Sequence, residues 1–204
     1  AIFGAGSDLQ IYHDGNHSYI EDAGTGSIKI KVGDFRVENA SGNNLIKGVG
    51  DVATLHHAGA EKLATTASGI DVTGTVALVN GANEWQLYTN VSNDSLEINY
   101  NGAGNAEVVV DTAGNVGIGT VPEAWHSSYD VLQIGSGGSL AASTTNESRV
   151  FLQANTYVNS SNVQSYLSTD EASQYWQNGG THIFNVAPSG TADAAISWTT
   201  AMTI

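Results

Sequence analysis

The sequence predicts an all-β chain, and three observations carry that prediction. Glycine punctuates the first two thirds, and of 24 glycines only Gly179, Gly180 and Gly190 lie after Ser139. Each interior Gly costs a helix about 1 kcal/mol, so no stretch before Ser139 keeps apolar residues at helical spacing for long. Apolar residues instead recur every second position, most cleanly at Ile28, Ile30 and Val32 against Lys29 and Lys31, which is strand periodicity. Turn formers interrupt these runs, as in His13-Asp14-Gly15-Asn16 and Gly24-Thr25-Gly26. Asp and Asn bond their own backbone there, and Gly accepts a positive φ.

In order, Leu9 and Ile11 alternate with Gln10 and Tyr12, the turn at 13–16 follows, and Tyr19-Ile20 begins the return strand. Residues 28–32 form the next expected strand, then Phe35 and Val37. A loop covers 39–44. Further strands are expected at 45–46, 52–57, 62–65, 70–72 and 76–78. Leu9–Gly15 (LQIYHDG) echoes Ala53–Gly59 (ATLHHAG), and Glu84–Tyr88 reads as a third, degenerate copy. Each unit is a short hairpin, which is marginal alone and must stack on neighbours or on copies of itself.

Asp111–Pro122 (DTAGNVGIGTVP) reads as a joint between two β-modules. Asp111, Gly114 and Asn115 make a turn. Val116 and Ile118 then alternate with Gly117 and Gly119, leaving a bare face that lets another backbone approach. Pro122 ends the pairing. The domains expected are residues 1–110, a shaft of hairpins; 111–122, the joint; and 123–204, a second β-module. Its strands are placed at 131–134, 149–157, 163–167, 174–177, 182–186 and 195–198, with one helical turn at 169–173 capped by Thr169. Ala201–Ile204 repeats the alternation of Glu107–Val110, and with the start at Ala1 this reads as a fragment of a longer modular protein.

Composition narrows the function. The formal charge is −14, and from Leu63 onward Arg149 is the only basic residue. Nucleic-acid binders need clustered Lys or Arg to displace counterions, and an anionic membrane surface would repel this chain. No apolar run is long enough to span a bilayer as a helix. Without Cys, disulfides, thiolate zinc sites and thiol nucleophiles are absent.

Candidate chemistry is sparse. GxG pairs occur at Gly4/Gly6, Gly24/Gly26, Gly48/Gly50, Gly102/Gly104, Gly117/Gly119 and Gly135/Gly137, yet none continues to GxGxxG. They read as turns rather than phosphate cradles. His13, Asp14 and His17 could offer two imidazoles and a carboxylate to a metal, but a solvated turn is the simpler reading, and no metal or other cofactor is expected. Carboxylate separations suited to glycoside hydrolysis come from the fold rather than from spacing. Asp170 and Glu171 are adjacent and on a strand would point opposite ways. No catalytic residue is assigned.

Taken together, Asp8–Gly15, Val37–Gly42, Glu61–Thr65 with Gly69–Gly74, and the joint Asp111–Pro122 resemble the shaft repeats of bacteriophage tail fibres. The stretches Tyr175-Trp176-Gln177, His182-Ile183-Phe184 and Ala187–Gly190 are similar to β-modules of the same fibres. The likeness covers most of the chain, and the order of the motifs carries it more than any one of them. It implies an elongated, intertwined homotrimeric fibre of short β-hairpins, followed by a more globular, β-sandwich-like module. It also implies a non-enzymatic role in the virion: spacing and presenting a surface for host attachment. The partners implied are copies of itself, other tail or baseplate proteins, and a host glycan or protein. In that family such a joint often precedes a self-cleaving chaperone domain, which this sequence does not contain. The His-x-His iron site of such fibres is also absent. The rival readings are a stand-alone glycan-binding domain and a tailspike-type polysaccharide-degrading enzyme.

Two groups of residues are singled out. Tyr166, Tyr175 and Trp176 sit among Gln, Asn and Ser, a mixture suited to stacking on sugar faces. The competing reading places Trp176 in the module core. Gly117 and Gly119 are expected at the axis of the trimer, where three side chains at one level would overlap and only Gly fits, as in collagen.

Overall fold

The computed structural model describes residues 1–4, 6, 8–102 and 106–204; Gly104, half of the Gly102/Gly104 pair, lies outside them. Among the described residues every regular element is a strand, so the chain is all-β. It divides into two compact units at Asp71/Val72.

The first unit holds two small antiparallel sheets. One comprises β1 (Ile2–Phe3), β2 (Leu9–His13) and β3 (Ser18–Asp22). The other is a meander of β4 (Asp34–Glu38), β5 (Asn44–Val49), β6 (Val52–His57), β7 (Ala60–Thr66) and β8 (Gly69–Val72). Both copies of the repeat form the first strand and the turn of a hairpin. In the first, Asp14 Oδ1 accepts the N–H groups of Asn16 and His17, each at 2.8 Å. In the second, Ala58 and Gly59 take φ of 52° and 80°, the left-handed pair of a two-residue hairpin.

Neither sheet encloses a core. Thr54 and Ala64 alone are buried among the described residues of this unit. Val37, Ile46, Leu55 and Leu63 stand abreast across four strands, yet the first three remain exposed. One expected strand is absent: residues 28–32 belong to no sheet, and Ile30 is 61% exposed. Period-two alternation marks an extended segment with one apolar edge. It does not supply a partner strand, and the described chain provides none.

The second unit is built on one eleven-stranded sheet. Its strands begin with β9 (Val76–Asn80), β10 (Asn83–Asn90), β11 (Ser95–Tyr100), β12 (Val108–Val110) and β13 (Val116–Ile118). They continue with β14 (Tyr129–Ile134), β15 (Gly138–Ser143) and β16 (Val150–Ala154). After a separate hairpin of β17 (Thr156–Val158) and β18 (Gln164–Tyr166), the sheet ends with β19 (Asp170–Asn178), β20 (Thr181–Gly190) and β21 (Thr199–Thr203). Neighbours are antiparallel except β13 and β14, which run parallel. A parallel pair needs a crossover, and residues 119–128 supply it.

The crossover and the β17–β18 hairpin cover one face of the sheet. Trp125 of the crossover and Tyr157 and Val158 of the hairpin pack on Tyr129, Val131, Ala141 and Phe151, with Leu167 and Trp176 at the margin. Tyr166 joins Ala172 and Ala187 in a second cluster, flanked by Ile196 and Trp198. The covering layer is thus a loop and the two-stranded sheet of β17 and β18. Residues 169–173 are not helical: Ala172 and Gln174 are buried at a spacing of two along β19. Thr169 Oγ1 accepts from the N–H of Ala192 (3.3 Å) instead of capping a helix. Residues 195–198 make a single bridge, Ala195 to Ser165, rather than a strand. β11 and β15 are two strands beyond those expected from the sequence.

The chain does not divide at Asp111–Pro122. That stretch is the β12–β13 hairpin and the start of the crossover, and β11 and β14 pair it from both sides. Its turn is as read: Asp111 Oδ1 accepts from Ala113 and Asn115 at 2.9 and 2.8 Å, and Gly114 has φ 89°. Gly117 is reserved by its own chain. A Cβ there would lie 2.1 Å from the Thr120 carbonyl oxygen and 2.9 Å from Pro122 Cδ, because the crossover folds back over β13. Gly119 takes φ 67°, with open space where a Cβ would point. The glycine requirement ascribed to a three-chain axis is therefore met at Gly117 within one chain.

Gly117→Ala is expected to cost about 1–3 kcal/mol by overpacking against backbone. Gly137→Ala, whose Cβ would meet nothing within 4 Å, should stay within about 0.5 kcal/mol of the parent. Denaturant unfolding of the two variants side by side checks this, and equal midpoints would contradict the packing described.

Candidate functional site

Residues opposite one another in a ladder share a face, so the register sorts the second unit into two surfaces. On the covered face one row runs Glu97, Val109, Gly117, Gln133, Ser139, Gln153, Gln174, Asn185 across eight strands. All are buried, and most are polar. Gln133 Oε1 accepts the indole N–H of Trp125 (3.1 Å) and the backbone N–H of Glu123 (3.0 Å). Ser139 Oγ donates to Gln153 Oε1 (3.2 Å), and Gln153 Nε2 donates to Gln174 Oε1 (3.2 Å). Gln164 Nε2 of the hairpin also donates to Gln174 Oε1 (2.8 Å), and Trp198 Nε1 donates to Gln164. The ladder ties the covering layer to the sheet, and each bond satisfies an amide that burial would otherwise penalise.

The opposite face is uncovered and mainly apolar, with Asp130, Gln177 and His182 in one flanking row. Its central row runs Leu96, Val110, Val116, Leu132, Leu140, Leu152, Tyr175, Phe184, Met202 across nine strands. The adjacent row contains Val76, Leu87, Ile98, Val108, Ile118, Ile134 and Val186. Neither row holds a charged residue. Leu152 is 60% exposed. Towards β21 the face dips into a hollow lined by Leu152, Tyr175, His182, Phe184 and Ile204. The Tyr175 hydroxyl meets His182 Nδ1, and its ring lies 4.9 Å from that of Phe184. The hollow offers apolar and aromatic contact, with the Tyr175 hydroxyl and the His182 imidazole as its polar groups.

The three aromatic candidates are not brought together. Tyr166 is 5% exposed; its hydroxyl donates to the Pro188 carbonyl at 2.6 Å, and its ring fills the space that Gly190 leaves open. It has no free face for a sugar. Trp176 lies on the covered side, stacked on Phe151 at 5.2 Å, with the Arg149 guanidinium 5.6 Å from its ring centre. Tyr175 points the other way, into the hollow. His182 and Phe184 complete that hollow, and the hydrogen-bonding register of β19 with β20 is what places them beside Tyr175.

The remaining polar candidates serve the fold. Asp14 spends both oxygens on its own hairpin: Oδ1 on the turn and Oδ2 on the Tyr19 hydroxyl (2.9 Å). These bonds hold its carboxyl below the usual range, backbone N–H groups first. His13 Nδ1 faces Ser18 Oγ at 3.3 Å. Among the described residues no three His, Asp or Glu side chains gather as metal ligands would. Asp170 accepts the N–H of Glu171 at 2.9 Å.

Glu97 stands out from the other carboxylates because it is buried. It accepts from Tyr88 Oη (2.7 Å), Asn90 Nδ2 (2.8 Å) and Ser95 Oγ (2.9 Å). Burial pushes its carboxyl up, and these hydrogen bonds together outweigh that push and hold it below its ordinary value. The alternation of β11, Ser95-Leu96-Glu97-Ile98-Asn99-Tyr100, is the sequence signal for it. A charged residue on a strand's polar face normally reads as solvated, and here that face is the covered one.

Comparison with family models, with curated proteins and with solved structures finds no match to this chain.

Glu97 generates a pH prediction. Its folded pKa lies below its unfolded one, so the stability it contributes is complete above the unfolded carboxylate range, near pH 4.3 by the usual reference of about 4.3. That contribution is lost as pH falls through the folded value. Glu97→Gln should cost about 1–3 kcal/mol at neutral pH by weakening the buried acceptor of three donors and should flatten the acid limb of the stability profile. An unchanged acid limb would contradict the assignment.

Proposed function

We propose that this chain is a structural segment of a bacteriophage tail fibre: a homotrimer that spaces and presents a host-attachment surface in the virion. The observation that supports it most is the first unit, where eight short strands bury only Thr54 and Ala64 among the described residues. Hairpins of this length need three or more strands with a covered apolar face to hold in water. Copies of the chain winding together would supply that cover along an elongated, intertwined shaft. The acidic balance and scarcity of Lys and Arg suit a particle that must stay dispersed until it meets a cell. On this reading the chain is not an enzyme, and its partners are its own copies, neighbouring tail or baseplate proteins, and a host glycan or protein.

A second reading has one observation in its favour. The hollow around Tyr175, His182 and Phe184 presents aromatic rings on an exposed face, which is the equipment of a stand-alone glycan binder.

Sedimentation velocity at micromolar concentration separates the two, combined with a glycan array. The fibre reading predicts a stable trimer whose arrays are blank if this segment is spacer only. A folded monomer that binds a glycan would overturn it in favour of the second reading.

A further inference from the structure

We infer that the open apolar face of the eleven-stranded sheet is a seam on which copies of this chain pack against one another, centred on the row through Leu132, Leu140, Leu152 and Phe184. The inference deepens the proposed fibre and rests on its self-association, not on its attribution to a phage. It also moves the contact between chains away from Gly117, which lies on the other, covered face.

The area argues for a macromolecular occupant. Roughly a dozen large apolar side chains on this face are about two-fifths exposed or more, and at about 80 Å² each they offer on the order of 1,000 Å². The largest apolar patch on a typical monomer is about 300–600 Å², while one side of a standard protein interface is about 800 Å². A saccharide in the hollow beside Tyr175 would cover one end of the face and leave the rest in water.

Two features favour a second copy over a foreign protein. The central rows carry no charge, although the chain carries −14 overall, and Asp130 stands in a flanking row of the face, so like-charged copies can meet along the centre with their carboxylates outside it. The sheets of the first unit also present uncovered apolar residues, such as Ile20 and Leu55. One foreign partner would have to match each of these surfaces separately, whereas copies of the chain supply them all.

The chain has no Cys, so single thiols report on the face directly. Leu152→Cys and, as a reference in an exposed turn, Val91→Cys (90% exposed) are treated with a hydrophilic maleimide, folded and in denaturant. In the folded assembly Cys at 152 should react at least a hundredfold more slowly than Cys at 91, and equally fast once unfolded. Leu152→Glu should dissociate the assembly, whereas Val91→Glu should leave it intact. An assembled protein in which position 152 labels as fast as position 91 would overturn the seam and leave self-association standing. A monomer labelled freely at both positions would overturn both. Protection at 152 that appears only when a saccharide is added would assign the face to a ligand and overturn the seam.

Discussion

Removal of apolar surface from water is the constraint on which this chain depends, and its own residues meet it on one side only. In the second unit the crossover and the β17–β18 hairpin bury Phe151, Tyr157 and Val158 on one face. The rows through Leu140 and Leu152 stay open on the other. Closing that surface against a partner would be favoured by the apolar area taken out of water, and repulsion between exposed carboxylates is screened beyond about 10 Å at ordinary salt.

The distribution of polar groups is the reverse of that in a half-solvated sheet, where polar residues face water. Here Gln133, Ser139, Gln153 and Gln174 are covered while leucines face outward. The amide ladder fixes which face is which. A one-residue slip in any pairing would turn its residues to the opposite face, leaving Gln amides without the partners they now have and setting Leu against Trp125 and Tyr157. The buried Glu97 works in the same way at the β11 end, where three donors hold a carboxylate that has no cation beside it. A polar ladder on the inner face and an apolar, uncovered outer face both follow from one strand alternation.

Much of this was legible in the residues. Period-two runs bounded by Asp, Asn and Gly locate β2, β3, β4 and β6, and Asp111, Gly114 and Asn115 mark the turn that forms between β12 and β13. The rest failed for identifiable reasons. Residues 28–32 alternate well, but pairing is a tertiary fact that alternation does not contain. β15 gives little signal in the sequence, because Ser139-Leu140-Ala141-Ala142-Ser143 has small residues where a core strand usually has large ones. The Gly-spaced β13 looked like a joint, because a three-residue strand gives too little signal to place it inside a sheet. Composition groups Tyr175 with Trp176, whereas adjacent strand residues face opposite ways. Alternation separates two faces; it does not say which of them the crossover will cover.

In the proposed assembly, copies of the chain complete the fold by covering its apolar faces. The guanidinium unfolding midpoint, measured over a hundredfold range of protein concentration, tests this. An assembly that supplies the missing burial unfolds with dissociation, so the midpoint should rise steadily with concentration. A single transition whose midpoint does not move with concentration would contradict the account.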